Sequence, residues 1–310
     1  MSALICGSFA YDNIMVFPDR FSNHILPDKV HMLNVAFLVP ELRREFGGTA
    51  GNIAYNLHLL GGDGYAMGTV GADFKPYAER MDRLGISRKY LRDIPESFTA
   101  QAYITTDLDD NQITAFHPGA MNEAHSQALP DDLDISVGLI SPDGRDGMIQ
   151  HAEQFAERGI PFIFDPGQGL PMFDGDDLKR FIEQAGYVAV NDYESQLMMD
   201  RTGWTMEEMA ERVRAVIVTR GGEGSHIYTD GKKLEIPSVK PAAIKDPTGC
   251  GDAYRAGLLY GLAKNMDWET SGRIASLMGS IKIAHTGTQN HHFTPDEFAA
   301  RFQDAFGYAL

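Results

Sequence analysis

From Val137 to Val218 the chain alternates with a regularity that few folds can use. Apolar runs at Val137–Ser141, Ile160–Phe164, Tyr187–Val190 and Ala215–Val218 are each too short for a stable helix, and the last three run into Asp165-Pro166, Asn191 and Thr219. Between them, Asp146–Arg158 and Asp177–Ala185 carry apolar residues at helical spacing and stop at Gly159 and Gly186, the residue type that closes a helix in the left-handed conformation. Thr205-x-x-Glu208 has the spacing of a capping box and opens a helix before the fourth run. Strands alternating with helices of this length need crossover connections, and these build a parallel sheet. Ser225–Thr229 and Leu234–Ile236, flanking Asp230-Gly231, read as a hairpin closing one sheet edge antiparallel. A chain of 310 residues, 43% hydrophobic, is long enough for one large α/β domain with a smaller appendage, and too short for two average domains with linkers.

The amino-terminal third departs from that rhythm. Ala3–Cys6 is a first strand that opens at Gly7 into the loop Ser8–Asp12, which puts Asp12 near the carboxyl end of a strand, where open α/β sheets bind ligands. Residues 13–46 mix Val35-Ala36-Phe37-Leu38-Val39 with Glu41, Arg43, Arg44 and Glu45 and show no clean period. They read as an excursion from the main sheet. Ala102–Thr106 and Ile113–Phe116 flank the polar Asp107–Gln112 as a hairpin separate from the βαβ run. Residues 13–46 and 97–117 are therefore grouped as a small β lid, with 1–12, 47–96 and 118–310 as the large domain. Gly47-Gly48-Thr49-Ala50-Gly51-Asn52 leads into Ile53, Ala54, Leu57 and Leu60 at helical spacing, closed by Gly61-Gly62. Such a turn serves either close approach to a ligand or tight packing. Further helices run up to Leu84-Gly85, from Trp268, and from a capping box at Thr294 to Glu297.

The densest chemistry lies in Asp246-Pro247-Thr248-Gly249-Cys250-Gly251-Asp252, immediately before the helical Ala253-Tyr254-Arg255-Ala256-Gly257. Glycines at a helix start leave unpaired N–H groups aimed at an anion, and the helix dipole adds to the attraction. A carboxylate beside a bound phosphate is repelled by it unless it has work to do, and accepting the proton of an attacking hydroxyl is such work. The plainer alternative is that Asp252 caps the helix and the glycines shape a turn. The commoner phosphate fingerprints are absent: Tyr254 stands where Gly249-x-Gly251 would need a third glycine, and no G-x-x-x-x-G-K-[ST] occurs. That absence counts against a dinucleotide oxidoreductase.

With 27 Lys+Arg against 43 Asp+Glu, the formal charge of −16 repels nucleic-acid backbones and anionic membranes. Cys6 and Cys250 lie far apart with no metal-type spacing, and no apolar run reaches the length of a membrane span. Met1 leads straight into the first strand with no basic leader. These features suit a cytoplasmic protein without nucleic-acid or membrane partners. His285, His291 and His292 lack acidic partners and read as surface histidines. A thiol at a helix start, as at Cys250, tends to a lowered pKa, whereas a small buried residue is inert.

Two more clusters sit at expected strand ends. Asn191-Asp192-Tyr193-Glu194 offers oxygen ligands suited to Mg²⁺ through water, or is a solvated acidic turn. Thr219-Arg220-Gly221-Gly222-Glu223-Gly224 offers a backbone that a nucleotide can approach closely, with Arg220 adding either positive charge or a surface salt bridge.

Taken in order, these motifs resemble the ribokinase-like (PfkB) family of carbohydrate and nucleoside kinases. Gly47, Gly48 and Asn52 match its first signature, Asn191 and Glu194 its Asn-x-x-Glu motif, Thr219, Gly221 and Gly224 its nucleotide turn, and Asp246–Asp252 its Asp-Thr-x-Gly-x-Gly-Asp signature, with Pro247 in place of the commoner Thr. The resemblance implies an α/β fold, a Rossmann-like αβα sandwich with a small β-sheet lid, and ATP-dependent phosphorylation of a hydroxymethyl-type alcohol. It implies Asp252 as base, the amides of Gly249, Cys250 and Gly251 as anion hole, and Mg²⁺ held through water by Asn191 and Glu194. Thr219, Gly221, Gly224 and Asn290 would contact the nucleotide. Asp246 and Thr248 match positions that in some members hold a monovalent cation such as K⁺. Monomers and homodimers both fit. A catalytically silent sensor on the same fold is the alternative of a different class, and the retained Asp252 argues against it.

The acceptor follows from Ser8, Asp12, Gly47, Gly48 and Asn52, a set suited to a furanose diol and common to sugars and nucleosides. A purine additionally needs apolar faces. Phe9, Phe37 and Phe116 are candidates for stacking, or are core of the lid. Phe116-His117-Pro118-Gly119-Ala120 and Gly287-Thr288-Gln289-Asn290-His291 look more like bacterial adenosine kinases than like ribokinases or fructokinases. Adenosine is the expected acceptor, with ribose or another sugar as the alternative.

Overall fold

A computed structural model describes residues 2–25, 35–109 and 111–310. Part of the expected lid (26–34), Asp110 of its hairpin turn and Met1 lie outside the described residues. The first strand, β1 (Ser2–Cys6), sits inside a nine-stranded sheet. On one side of it lie β4 (Gly64–Gly71) and β5 (Tyr90–Ile94); on the other lie β8 (Ile135–Ile140), β9 (Phe162–Phe164), β10 (Tyr187–Asn191) and β11 (Ala215–Thr219). All of these pair in parallel. The hairpin β12 (Ser225–Thr229) and β13 (Lys232–Ile236) then closes the edge antiparallel, as its Asp-Gly turn predicts.

Burial on both faces follows from the period of two in β1. Ala3 and Ile5 join a core with α1 (Thr49–Leu59), α2 (Lys75–Leu84), α7 (Cys250–Ala263), α8 (Trp268–Ile283) and α9 (Pro295–Phe306). Leu4 and Cys6 join a second core with α3 (Arg145–Glu157), α4 (Gly175–Gln184), α5 (Asp192–Thr202) and α6 (Met206–Ala210). These strand residues are at most 1% exposed, as a central parallel strand covered on both faces should be. The result is an αβα sandwich. Among the described residues no helix is long and apolar enough to cross a membrane.

A second sheet of four strands, in the order β3 (Glu41–Gly47), β2 (Ala10–Val16), β6 (Ala100–Thr106), β7 (Gln112–His117), stands on the same edge of the molecule. Here the structure corrects the sequence reading. Asp12 is not in a loop at the end of β1; it lies inside β2, in register with Glu45 of β3 and Ala102 of β6. The small sheet thus takes in Ala10–Asp12 and Gly47 as well as the segments assigned to it. The helix foreseen after Thr205 is only Met206–Ala210, and the unforeseen α5 follows β10 without a loop.

Sheet order fixes where a ligand can enter. From β1 the chain moves to β4 and β5 on one side, then returns to β8 on the other, so neighbouring connections diverge at the carboxyl ends of β1 and β8. Open α/β sheets form their crevice at such a switch point. Gly7, Ser8 and Ser141 stand there, and the amino end of α1 is tied to them: Ser8 Oγ accepts from the Thr49 N–H at 3.2 Å, and Thr49 Oγ1 meets Ser141 Oγ at 2.8 Å.

Candidate active site

Two helix amino ends converge on this edge. The first, α1, is entered through Gly48 at φ +85°, where a Cβ would fall 2.5 Å from the backbone of Ser8, Phe9 and Ala10, so only glycine fits. The second, α7, is entered through Gly249 at φ +79°. Its first return bond joins the Ala253 N–H to Gly249 O at 3.0 Å. The N–H groups of Gly251 and Asp252 therefore have no carbonyl one turn behind them and are left for an anion. The Cys250 N–H, expected among those donors, instead bonds Pro247 O at 3.1 Å.

Asp252 sits in the first turn of α7, and its Oδ2 accepts from Asn52 Nδ2 at 2.8 Å. Burial pushes its carboxyl up to about 7; the Asn52 bond opposes the rise, Asp165 adds to it, Arg255 opposes it and Asp12 adds to it. Asn52 is itself oriented, because Gln289 Nε2 donates to its Oδ1 at 3.0 Å and leaves its amide N–H groups for Asp252. Gln289 also donates to Tyr77 Oη at 2.6 Å, and Tyr77 donates to Gly47 O at 2.9 Å. Gln289 was quoted in the sequence without a role, and nothing local marks it.

A buried ion pair missed by sequence reasoning lies one turn along α7. Arg255, 4% exposed, donates to both oxygens of Asp165, 5% exposed, at 3.1 and 3.0 Å, and to Ala189 O at 3.2 Å. Asp165 is the residue after β9, and its position at a strand end was the available signal. Burial raises its carboxyl, against the pull of Arg255.

From the start of α7 a cleft of about 760 Å³ runs past Asp165 and Glu194 to Thr219, Gly221 and Gly224. Its far wall is apolar, with Val239, Pro241 and Ile244 on the segment before α7, a stretch to which the sequence reading gave no part. Arg220 proves to be a salt-bridging residue, paired with Glu223 and 3.1 Å from His226 Nε2. Asn290 does not line the cleft; its amide bonds Glu45 of the small sheet at 2.8 Å and Thr286 O at 3.0 Å.

Asn191 and Glu194 both border the cleft, yet their first task is local. Asn191 Oδ1 accepts the Glu194 N–H at 2.7 Å, and Glu194 Oε2 accepts the Asn191 N–H at 2.8 Å, a capping box that starts α5. Among the described residues no cluster of three or more His, Cys, Asp or Glu side chains could hold a metal ion directly. What the cleft does have is an excess of carboxylate: Asp165, Glu194 and Asp252 surround Arg255, and Asp192 and Lys240 line it as well. Burial, then Asp165, raises the Glu194 carboxyl. That excess fits a hydrated Mg²⁺ reached through water by Glu194, whereas Asn191 has committed its oxygen to the helix.

Asp12 faces the other side of the site. Burial, then Glu45 and Asp246, raise its carboxyl to about 6. Residues directly paired across strands share a face, so Glu45, Asp12, Ala102 and Phe116 form one row, with Ile14 and Ile104 two positions on. Phe116 is 52% exposed there. Phe9, by contrast, is core, edge-on to Phe74 and Tyr77, and Phe37 packs against Phe17 and Phe21 at the far end of the small sheet. Ser8 has its hydroxyl and carbonyl occupied by the start of α1.

The remaining expectations divide. His291 is not at the surface: it is fully buried, with Nε2 2.7 Å from Asn56 Oδ1, and burial lowers its imidazole to about 3. Cys250 is no activated thiol, since burial raises it to about 11. Asp246 spends both carboxylate oxygens on amides, Oδ1 on Thr248 at 2.9 Å and Oδ2 on Gly287 at 2.8 Å.

Comparison with known proteins adds an independent line. The model of the pfkB family of carbohydrate kinases matches residues 10–295. The nucleoside kinase of Methanocaldococcus jannaschii is 33% identical over 275 residues, which cover 87% of this chain and 89% of that protein. The nucleoside kinase of Burkholderia thailandensis in complex with inosine superposes with a TM-score of 0.90 at 56% identity, covering 99% of both chains. Its complex with ADP-inosine superposes with a TM-score of 0.88 at 58% identity, over 99% of this chain and 97% of that one.

Proposed function

The chain belongs to the PfkB family of carbohydrate kinases, and from that premise we propose that it transfers the γ-phosphoryl group of ATP to the 5′-hydroxyl of a purine nucleoside, adenosine among them, with Asp252 as the general base. The observation that carries the reading is Asp252 itself. A carboxylate of pKa about 7, steadied by Asn52, stands at the helix end whose free amides suit an anion. A base is most effective when its pKa lies near the working pH, since it is then both available and strong enough to draw the proton.

The nucleoside lies between the two sheets. Asp12 accepts hydrogen bonds from the ribose hydroxyls, Gly47 and Gly48 let the backbone close on the sugar, and Phe116, Ile14 and Ile104 offer the base an apolar wall. The 5′-hydroxyl gives its proton to Asp252 as its oxygen attacks the γ-phosphorus, and ADP leaves. The N–H groups of Gly249, Gly251 and Asp252 receive the charge that develops on the transferring phosphoryl oxygens. The triphosphate lies along Thr219, Gly221 and Gly224, and the adenine of ATP lies against Val239, Pro241 and Ile244. Magnesium, when bound through water near Glu194, offsets phosphate charge. The small sheet acts as a lid and excludes water that would otherwise compete as nucleophile. The inosine and ADP-inosine complexes of the Burkholderia thailandensis enzyme support a nucleoside over a free sugar.

A coupled ADP-release assay with adenosine, inosine, guanosine, cytidine, ribose and fructose tests this. Purine nucleosides are expected to show the highest kcat/KM. Asp252→Asn is expected to lower kcat by at least ~10²-fold while nucleoside binding, followed by calorimetry, survives. Ribose or fructose ahead of every nucleoside would overturn the acceptor assignment, and near-normal turnover by the variant would overturn the base.

A further inference from the structure

The loop that leads into α7 is clipped onto the last turn of α8 around a buried ammonium. Lys282 is 0% exposed, and its Nζ donates to Asp246 O at 2.7 Å and to His285 O at 3.3 Å. The same loop is held by its backbone, with the N–H groups of Lys245 and Asp246 both donating to Ile283 O, at 2.9 and 3.2 Å. Gly287 and Thr248 amides take the two carboxylate oxygens of Asp246. Each Asp246 carboxylate oxygen already accepts an amide, and the Asp246 carbonyl already accepts the Lys282 amine. A separate K⁺ on that carbonyl would sit beside a buried ammonium, and like charges at that range disfavour it.

We propose that Lys282 is a tethered replacement for the monovalent cation: its ammonium gathers the carbonyls of Asp246 and His285, fixes the approach Asp246–Gly249 to the anion-binding end of α7, and makes phosphoryl transfer independent of K⁺. Burying an ammonium is costly unless its N–H groups meet acceptors, and here they meet two carbonyls. Lys282 also lies in the last turn of α8, where the helix dipole favours positive charge. Burial lowers the Lys282 amine, and the carboxylates of Asp246 and Asp252 favour its charged form against that, so its electrostatic partners lie at the reacting end of α7 and not on a remote surface. An apolar residue would fill the same space without holding the loop. Lys282 makes no contact with the phosphoryl group; it acts by positioning the loop that does.

The inference rests on the kinase reading, and its test separates the two. The protein is dialysed into tetramethylammonium buffer, and adenosine phosphorylation is measured with K⁺, Na⁺ or tetramethylammonium at matched ionic strength. Wild-type kcat/KM is expected to agree within ~2-fold across the three, and thermal melting is expected to show no saturable rise with K⁺ beyond that with tetramethylammonium. Lys282→Met, which keeps an unbranched apolar stem and removes the amine, is expected to lose ~10-fold or more in kcat in tetramethylammonium, with Lys282→Arg recovering part of the loss and circular dichroism establishing that the variants fold. A wild-type protein activated ~10-fold by K⁺, a saturable K⁺-dependent rise in Tm, or a folded Lys282→Met with unchanged kcat would each overturn the proposal. Should Lys282→Met not fold, the two wild-type measurements decide alone. Should no acceptor be phosphorylated, the kinase reading fails and the melting titration still decides the lysine.

Discussion

With Asp252 as the base proposed above, Asn52→Leu tests how the site holds it. Leucine fills the volume of asparagine but cannot donate to Asp252 Oδ2; Gln289 keeps its bond to Tyr77 Oη and loses the acceptor at Asn52 Oδ1, a cost in stability that the pH profile does not read. A hydrogen bond to a charged group is worth about 1.5–3 kcal/mol, and each pKa unit is 1.36 kcal/mol, so loss of the Asn52 donor lifts Asp252 by ~1–2 units. Starting from about 7, the ionised fraction at pH 7 drops from about half to between ~10% and ~1%, which lowers kcat/KM by ~5- to ~50-fold at that pH. The deficit should close as the pH approaches ~10, because the base is then ionised in both proteins. The assay is the pH profile of kcat/KM, which reports groups of the free enzyme. Loss of an Asn52 contact to the nucleoside would lower the whole profile, whereas the electrostatic effect moves the midpoint of its acid limb. An acid limb whose midpoint stays in place in Asn52→Leu would refute the coupling between Asn52 and the base.

Other perturbations separate structural from chemical roles. Arg255→Met leaves Asp165 buried without its partner and should cost ~3–5 kcal/mol in urea unfolding; a loss under ~1 kcal/mol would show that the pair is not needed to compensate the buried charge. Glu194→Gln keeps an acceptor for the Asn191 N–H, so stability should change by less than ~0.5 kcal/mol while the Mg²⁺ requirement rises. An unaltered magnesium titration would leave Glu194 as a helix cap alone. Residues 13–25, 35–46 and 97–117 should gain protection from hydrogen exchange on addition of nucleoside, and protection confined to residues 137–252 would remove the lid from the mechanism.

The sandwich was legible because its signals are local. Strand runs between glycine-closed helices dictate crossovers, the Asp230-Gly231 turn dictates the edge hairpin, and the glycines before Asp252 dictate an open helix end wherever the helix packs. One spacing can also serve two purposes. Asn191-x-x-Glu194 reads as a metal motif or an acidic turn and forms the capping box of α5, since the partners of a box and the residues of that motif both stand three positions apart. Asp12 reads as loop because the polar pair Asp12-Asn13 interrupts the apolar residues of β2, so the strand shows no alternation.

Which groups meet across the sandwich depends on packing between distant segments, and no local signal carries it. Asn52 reaches Asp252 because α1 and α7 pack side by side, Arg255 reaches Asp165 because α7 packs against β8, the neighbour of β9, and Lys282 reaches Asp246 because α8 returns beneath the loop. Burial then sets the charge state: Asp252 is raised to about 7 and His291 is lowered to about 3 by the removal of water, a quantity that belongs to the folded chain and to no segment of it. The glycines before Asp252 put an acid at an open helix end in any packing; burial beside Asn52 is what brings that acid near neutral pH.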